Sequence, residues 1–267
     1  VAAANVPPSS LSGTVKDGNG VGIKGVQVRV PGSPVAVTDA SGAYTVPTAI
    51  AGATTVQAEG VCRAPVSLPV TISGSTTLNF TLGAFAGCSV DAAAWDTTTT
   101  VLGLSGDDAS LAVALPFTYK HAGVNYATAN VTTNGVVNFL APDLSFTNTA
   151  IPNAAAPNAA LYGFWDDLTV DGSSSVLGNT FGVAPNRRFV LEWRNVALLS
   201  DTTKRLSFQI VLYENTADRV RLQYKDIANG TPETGTSATV GTENAAGSGG
   251  TQVLFDNGLL FDGLSIR

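Results

Sequence analysis

Val220-Arg221-Leu222-Gln223-Tyr224-Lys225 places an apolar residue at every second position, with polar or charged residues between them. That period of two is the signature of a strand with one buried face. The same beat runs through Phe189, Leu191 and Trp193, set between Arg188, Val190, Glu192 and Arg194, and through Leu206, Phe208, Ile210 and Leu212. Upstream, Ala112, Ala114 and Pro116 lead to Phe117 and Tyr119. His121-Ala122-Gly123 reads as a turn, and Asn134-Gly135 is a hairpin signal between Val131 and Val137. Leu161 to Val170 is a long apolar strand that ends in acids. Strands at this spacing without a helical period predict an antiparallel, jelly-roll-type β-sandwich over residues 101–267.

The first part of the chain carries the same period on shorter strands. Leu11, Gly13 and Val15 alternate with Ser12, Thr14 and Lys16, and Val26, Val28 and Val30 form the next apolar face. Turns fall at Asp17-Gly18-Asn19-Gly20 and Asp39-Ala40-Ser41-Gly42, and Leu78, Phe80 and Leu82 close the run. The chain is therefore expected to be all-β, with a tail over 1–10, a first sandwich over 11–83, a junction over 84–100 and a second sandwich over 101–267. A length of 267 residues suits two domains.

Gly13-x-Val15-x-Asp17, Gly25-Val26-x-Val28 and Thr38-Asp39-x-x-Gly42-x-Tyr44 resemble the carboxypeptidase regulatory-like (transthyretin-like) domain. This resemblance covers about a quarter of the chain. It implies a seven-stranded, Ig-like sandwich without catalysis of its own. In the second part, several motifs occur in order: Leu115-Pro116-Phe117, Val131-Thr132-Thr133-Asn134-Gly135, Gly163-Phe164-Trp165-Asp166-Asp167-Leu168 and Ala238-Thr239-Val240-Gly241-Thr242-Glu243-Asn244. Together they resemble a β-sandwich module appended to bacterial secreted peptidases and surface proteins, and more distantly the nidogen extracellular (NIDO) domain. That likeness implies an accessory, adhesive or structural role.

Composition narrows the partners. The formal net charge is −6, and Arg187-Arg188 is the one basic cluster, which argues against nucleic acid. No stretch approaches the roughly 20 apolar residues of a membrane helix. The start Val1-Ala2-Ala3-Ala4 has the look of a processed end, and a secreted or cell-surface location is expected. Cys62 and Cys88 fit neither a zinc motif nor a redox pair, and in an extracellular chain they are expected to form one disulfide. Such a loop stabilises by about 3 kcal/mol.

Little in the chain suggests a reaction. His121 is the single histidine and is read as a solvated turn residue. No nucleophile elbow, zinc-protease helix or phosphate loop is present. Asp107-Asp108 and Asp166-Asp167 are neighbours that would point to opposite faces of a strand, while Glu192, Glu214 and Glu243 lie on different strands. Calcium is the best cofactor candidate, with Asp166, Asp167 and Asp171 as ligands at a strand end. The competing reading is an acidic turn that bonds its own amides. Trp165 and Trp193 are in phase with the core, which leaves Trp95 as the candidate surface aromatic.

The expected function is non-enzymatic: a secreted structural or adhesive protein, with self-association or other cell-surface proteins as partners. The apolar residues Val1, Ala2, Ala3, Ala4 and Val6 are the candidate assembly segment, able to add a strand to a neighbour's sheet edge. The alternatives are a pair of glycan-binding modules and the accessory domains of a secreted peptidase.

Overall fold

The computed structural model describes residues 9–215, 219–227 and 234–267. The described residues are strands and connections without a helix, so none contains a helix long and apolar enough to cross a membrane. The chain divides into two compact units, Val1–Ala86 and Gly87–Arg267.

The first unit contains β1 (Ser9–Lys16), β2 (Gln27–Arg29), β3 (Ala36–Val37), β4 (Ala43–Ala49), β5 (Gly52–Glu59), β6 (Val66–Ile72), β7 (Ser75–Thr77) and β8 (Phe80–Thr81). They form two sheets, β3-β2-β5-β6 and β4-β1-β7 with β8 also on β1. Both β7 and β8 run parallel to β1 and follow one another along it, so the two segments act as one interrupted strand. At the interruption the Asn79 side chain accepts the Thr14 amide at 2.8 Å in place of a backbone carbonyl. Leu11, Val15, Val28, Val46, Val56 and Phe80 fill the space between the sheets, in the phase their alternation predicts.

Three motif residues have clear physical reasons. The Asp39 carboxylate accepts the amides of Ser41 at 2.8 Å and Ala43 at 3.0 Å, which closes the turn. Gly42 completes that turn at φ +81°, where a side chain would also strike the Val15 carbonyl. Gly13 is required by proximity rather than by dihedral, because a Cβ there would lie 1.8 Å from the Leu78 carbonyl oxygen. Tyr44, opposite Gly13 in the β1–β4 register, donates its hydroxyl to the same carbonyl at 2.7 Å.

The second unit contains β9 (Gly106–Asp107), β10 (Ser110–His121), β11 (Val124–Thr132), β12 (Val136–Asn138), β13 (Ala160–Trp165), β14 (Leu168–Val170), β15 (Ser175–Phe181), β16 (Arg188–Leu198), β17 (Asp201–Tyr213), β18 (Val220–Lys225), β19 (Thr239–Glu243), β20 (Gly250–Phe255) and β21 (Ser265–Ile266). One sheet runs β10-β11-β12-β13-β19-β20; the other runs β21-β18-β17-β16-β14-β9, with β15 also on β16. The sheets meet through aromatic rings. Phe208 of β17 stacks on Trp193 at 4.9 Å and meets Phe164 of β13 at 6.1 Å. Gly163 makes this approach possible, since a Cβ there would sit 2.8 Å from the Phe208 ring. Hydrogen bonds cross the same gap, from Tyr224 to the Gly163 carbonyl at 2.7 Å and from the Trp193 indole to the Thr132 carbonyl at 2.9 Å.

Residues 89–102 cross the outer face of the second sheet as a strap. Ser89 pairs with Arg267, and Asp91 binds Arg221 and Ser265. Gln223 and Gln209 donate to the carbonyls of Ala94 and Asp96, and Arg188 grips the Asp96 carboxylate. Thr98 donates to the buried Glu192, and the amides of Thr99 and Thr100 bond Asn179 of β15. The outward-phased polar residues Glu192, Gln209 and Gln223 are therefore covered rather than solvated. Each finds a partner in the strap, as buried polar groups require.

Gly13→Ala is expected to lower the stability of the first unit by about 3 kcal/mol, because backbone rather than a flexible side chain must move aside. Denaturant unfolding followed in that unit checks this, and an unchanged midpoint would refute the close approach of β1 to Leu78.

Candidate binding surface

Most side chains that could carry chemistry are committed to structure. His121 is buried, not solvated as its turn position suggests. It ends β10 opposite Val124, the turn itself being Ala122-Gly123, and it packs 5.3 Å from the Phe139 ring. Its Nε2 lies 2.8 Å from the Glu243 carbonyl oxygen. Glu192 is held by Thr98, by Gln209 at 2.9 Å and by Arg194 at 2.7 Å. Glu214 pairs with Arg187 at 2.6 Å, and Glu243 accepts the Tyr162 hydroxyl at 2.7 Å. The three glutamates thus serve three separate local networks.

The acids read as a calcium set are distributed differently. The buried Asp166 accepts the Ser237 hydroxyl at 2.6 Å. Asp171 forms a two-pronged pair with Arg205, at 2.6 and 2.9 Å, and hydrogen bonds from Arg205 hold its carboxyl well below the usual range. Asp167 instead joins Asp107 and Asp108, with one carboxylate oxygen from each lying within 4.8 Å of the others. The cause is register: β14 pairs with β9, and Thr169 sits opposite Asp107. Among the described residues these three are the group able to share a cation, and they supply three of the six to eight oxygens calcium takes. Adjacency of Asp166 and Asp167 was visible in the sequence; the pairing of β9 with β14 was not.

Trp165 and Trp193 are buried, as their phase predicts. Trp95 lies in the strap and stays half-buried, with the Lys225 ammonium 5.6 Å from its ring centre. A pocket of about 180 Å³ opens there, lined by Trp95, Gln223, Lys225, Asp226 and Asp262 among others. Cys62 and Cys88 are both disulfide-bonded, and as the chain's two cysteines they form one bridge. Val1, Ala2, Ala3, Ala4 and Val6 lie outside the described residues.

A further feature had no periodic signal in the sequence. Between β12 and β13 the loop Leu140-Ala141-Pro142-Asp143-Leu144-Ser145-Phe146 leaves Leu140 48%, Leu144 43% and Phe146 47% exposed. Buried polar groups hold its backbone. The Asn134 amide donates to the Leu144 carbonyl at 3.3 Å and the Trp165 indole to the Ser145 carbonyl at 2.8 Å. Asn130 donates to the Leu140 carbonyl at 2.6 Å. Asn134 also donates to Asp108 at 2.8 Å, which ties the apolar loop to the acidic trio.

Asp167 has its pKa raised by burial and then by Asp107 and Asp108. A raised carboxylate pKa means the folded chain holds that proton more tightly than the unfolded chain. Its contribution to stability therefore worsens as pH rises through the interval above the unfolded value, and stays unfavourable at neutral pH. Asp167→Asn is expected to raise Tm at pH 7, with the gain shrinking towards pH 4. A thermal melt series over pH checks this, and a lower Tm at pH 7 would show that the carboxylate is stabilising.

No curated protein matches the chain. Among solved structures, it matches a type II cohesin–X-dockerin complex from Acetivibrio cellulolyticus at 19% identity and TM-score 0.27, over 28% of this chain and 58% of that one. The chain thus spans little more than half of that relative. A DUF3823 family protein from Parabacteroides merdae matches at 12% identity and TM-score 0.26, over 94% of this chain and all of that one. Fervidolysin from Fervidobacterium pennivorans, a keratinolytic enzyme related to subtilisin, matches at 13% identity and TM-score 0.24, over 95% of this chain and 34% of that one. The NIDO-related family model matches residues 84–258, more than half of the chain and most of the second unit, and the chain belongs to that family.

Proposed function

We propose that the chain is a non-enzymatic, extracellular adhesive protein that binds other proteins through its second unit. The observation that carries this reading is the clamped apolar loop Leu140–Phe146, whose large side chains stand in solvent while buried Asn134 and Trp165 fix the backbone beneath them. Clustered exposed apolar side chains mark interaction sites in soluble proteins. The disulfide supports an oxidising compartment, and family membership supports an adhesive role. The Gly13, Asp39 and Gly42 geometry supports reading the first unit as a carboxypeptidase regulatory-like spacer.

The sheet edges favour adhesion over assembly by strand donation. Pro47, Pro69 and Pro116 fall in the edge strands β4, β6 and β10, where proline blocks further pairing. The edge strand β20 carries a register shift beside Gly241. Residues 89–91 and 100–102 cover β21 and β15. Sedimentation velocity and negative-stain microscopy of the full chain are expected to show one monomeric species; regular polymers would overturn this reading in favour of a filament subunit.

A second reading, glycan binding, has the half-buried Trp95 and its polar pocket in its favour. Under that reading Trp95→Ala weakens binding to a saccharide identified on a glycan array at least about tenfold, or about 1.4 kcal/mol. Equal binding by the variant would discard Trp95 as the contact.

A further inference from the structure

Resting on the adhesive reading, we propose that the Leu140–Phe146 loop and the Asp107, Asp108 and Asp167 carboxylates form one docking surface for a cationic, apolar peptide segment of a partner protein. Both halves of the surface converge on Asn134. This buried side chain donates to the Asp108 carboxylate at 2.8 Å and to the Leu144 carbonyl at 3.3 Å, and it accepts the Leu168 amide at 3.1 Å. The last bond fixes the start of β14, directly after Asp167. One side chain thus sets the position of the apolar loop relative to the acids.

Preorganisation is the first argument. The loop backbone is held by Asn130, Asn134 and Trp165 from below, while Asp143 accepts the Ser145 amide at 2.9 Å within the loop. A loop free to rearrange would fold Leu144 and Phe146 inward. Here the backbone is fixed with both side chains outside, so a partner meets them with little ordering entropy left to lose.

Charge decides what kind of partner fits. Among the described residues, none of the five ion pairs involves Asp107, Asp108 or Asp167. Their oxygens are mutually close, and one Asp167 oxygen is buried without a hydrogen-bond partner. Such a group repels phosphate and anionic lipid and attracts Lys or Arg. The apolar loop beside it asks for large aliphatic or aromatic side chains. A segment that alternates cationic and apolar residues satisfies both at once, and the two demands together exclude a nucleic acid or an acidic membrane.

The test uses fluorescence anisotropy with the full chain in EDTA, which keeps divalent ions off the carboxylates. Three labelled synthetic decapeptides serve as probes: lysine alternating with leucine and phenylalanine, glutamate in the same apolar pattern, and lysine alternating with serine. The first is expected to bind. Its affinity falls at least tenfold with Leu144→Ser and Phe146→Ser combined, and at least tenfold with Asp107→Asn and Asp108→Asn combined. All four positions are at least partly exposed, and a Tm no lower than that of the parent chain confirms that the variants remain folded. The glutamate and serine peptides are expected to bind at least tenfold more weakly than the first. Equal binding of the lysine–serine peptide, or loss of neither affinity in the variants, would reduce the effect to general attraction by an acidic protein and overturn the proposal. Preferential binding to phosphatidylcholine vesicles through Leu144 and Phe146 would overturn it in favour of a membrane. A monodisperse chain that binds none of the peptides refutes this surface but leaves the adhesive reading standing, whereas polymers refute that reading itself.

Discussion

The packing of Phe208 against Phe164 and Trp193 is the contact on which the second unit depends. Aromatic rings from facing sheets can come this close because Gly163 has no side chain to keep them apart. The absence of a Cβ at this one point lets the two sheets share one set of rings. Tyr224 then reaches across to the carbonyl of that same glycine, so the polar atom that the missing side chain exposes is also bonded. The first unit uses a similar device, with Gly13 admitting the Leu78 carbonyl and Tyr44 bonding it. A backbone carbonyl approaches Gly13 and side chains approach Gly163, and in each case a tyrosine hydroxyl bonds the carbonyl at that contact.

The strap imposes a different kind of order. A sheet with one face in a core normally turns polar residues to water on the other. Here residues 89–102 lie on that second face, and a row of side chains from β21 to β15 binds them. Glu192 shows the consequence. It is 2% exposed, and it remains tolerable as a carboxylate because a hydroxyl, an amide and a guanidinium surround it. The strap therefore converts an exposed sheet face into a polar interior, and it covers two sheet edges on its way.

Acids and apolar side chains meet around Asn134, which bonds both Asp108 and Leu144. Acids that have arginine partners, such as Asp171 and Asp96, are structural. Three acids with no arginine partner, Asp107, Asp108 and Asp167, lie beside the exposed loop. The proposed docking surface draws on acids that lack an arginine partner, although Asp108 also anchors Asn134.

The sequence by itself determined the inward faces of several strands and some of the turns, whereas Leu161 to Val170, read as one strand, splits at Asp166-Asp167 into β13 and β14 on different sheets. A period of two at Leu206–Leu212 and Val220–Tyr224 dictates which side chains enter the sandwich, and Asp39 and Gly42 specify their turn through local bonds. These are short-range facts, set by residues a few positions apart. Tertiary structure alone decided which polar faces would be wet. Glu192, Gln209 and Gln223 carry the pattern of solvated residues, and only a strap about a hundred residues upstream buries them. His121 is likewise drawn inside by Glu243 of a distant strand. The acidic trio joins Asp167 to residues some sixty positions earlier through the β9–β14 register, while adjacent Asp166 turns to Ser237. Periodicity reports the direction of a side chain relative to its own strand, whereas burial and partnership depend on what the rest of the chain lays against that face.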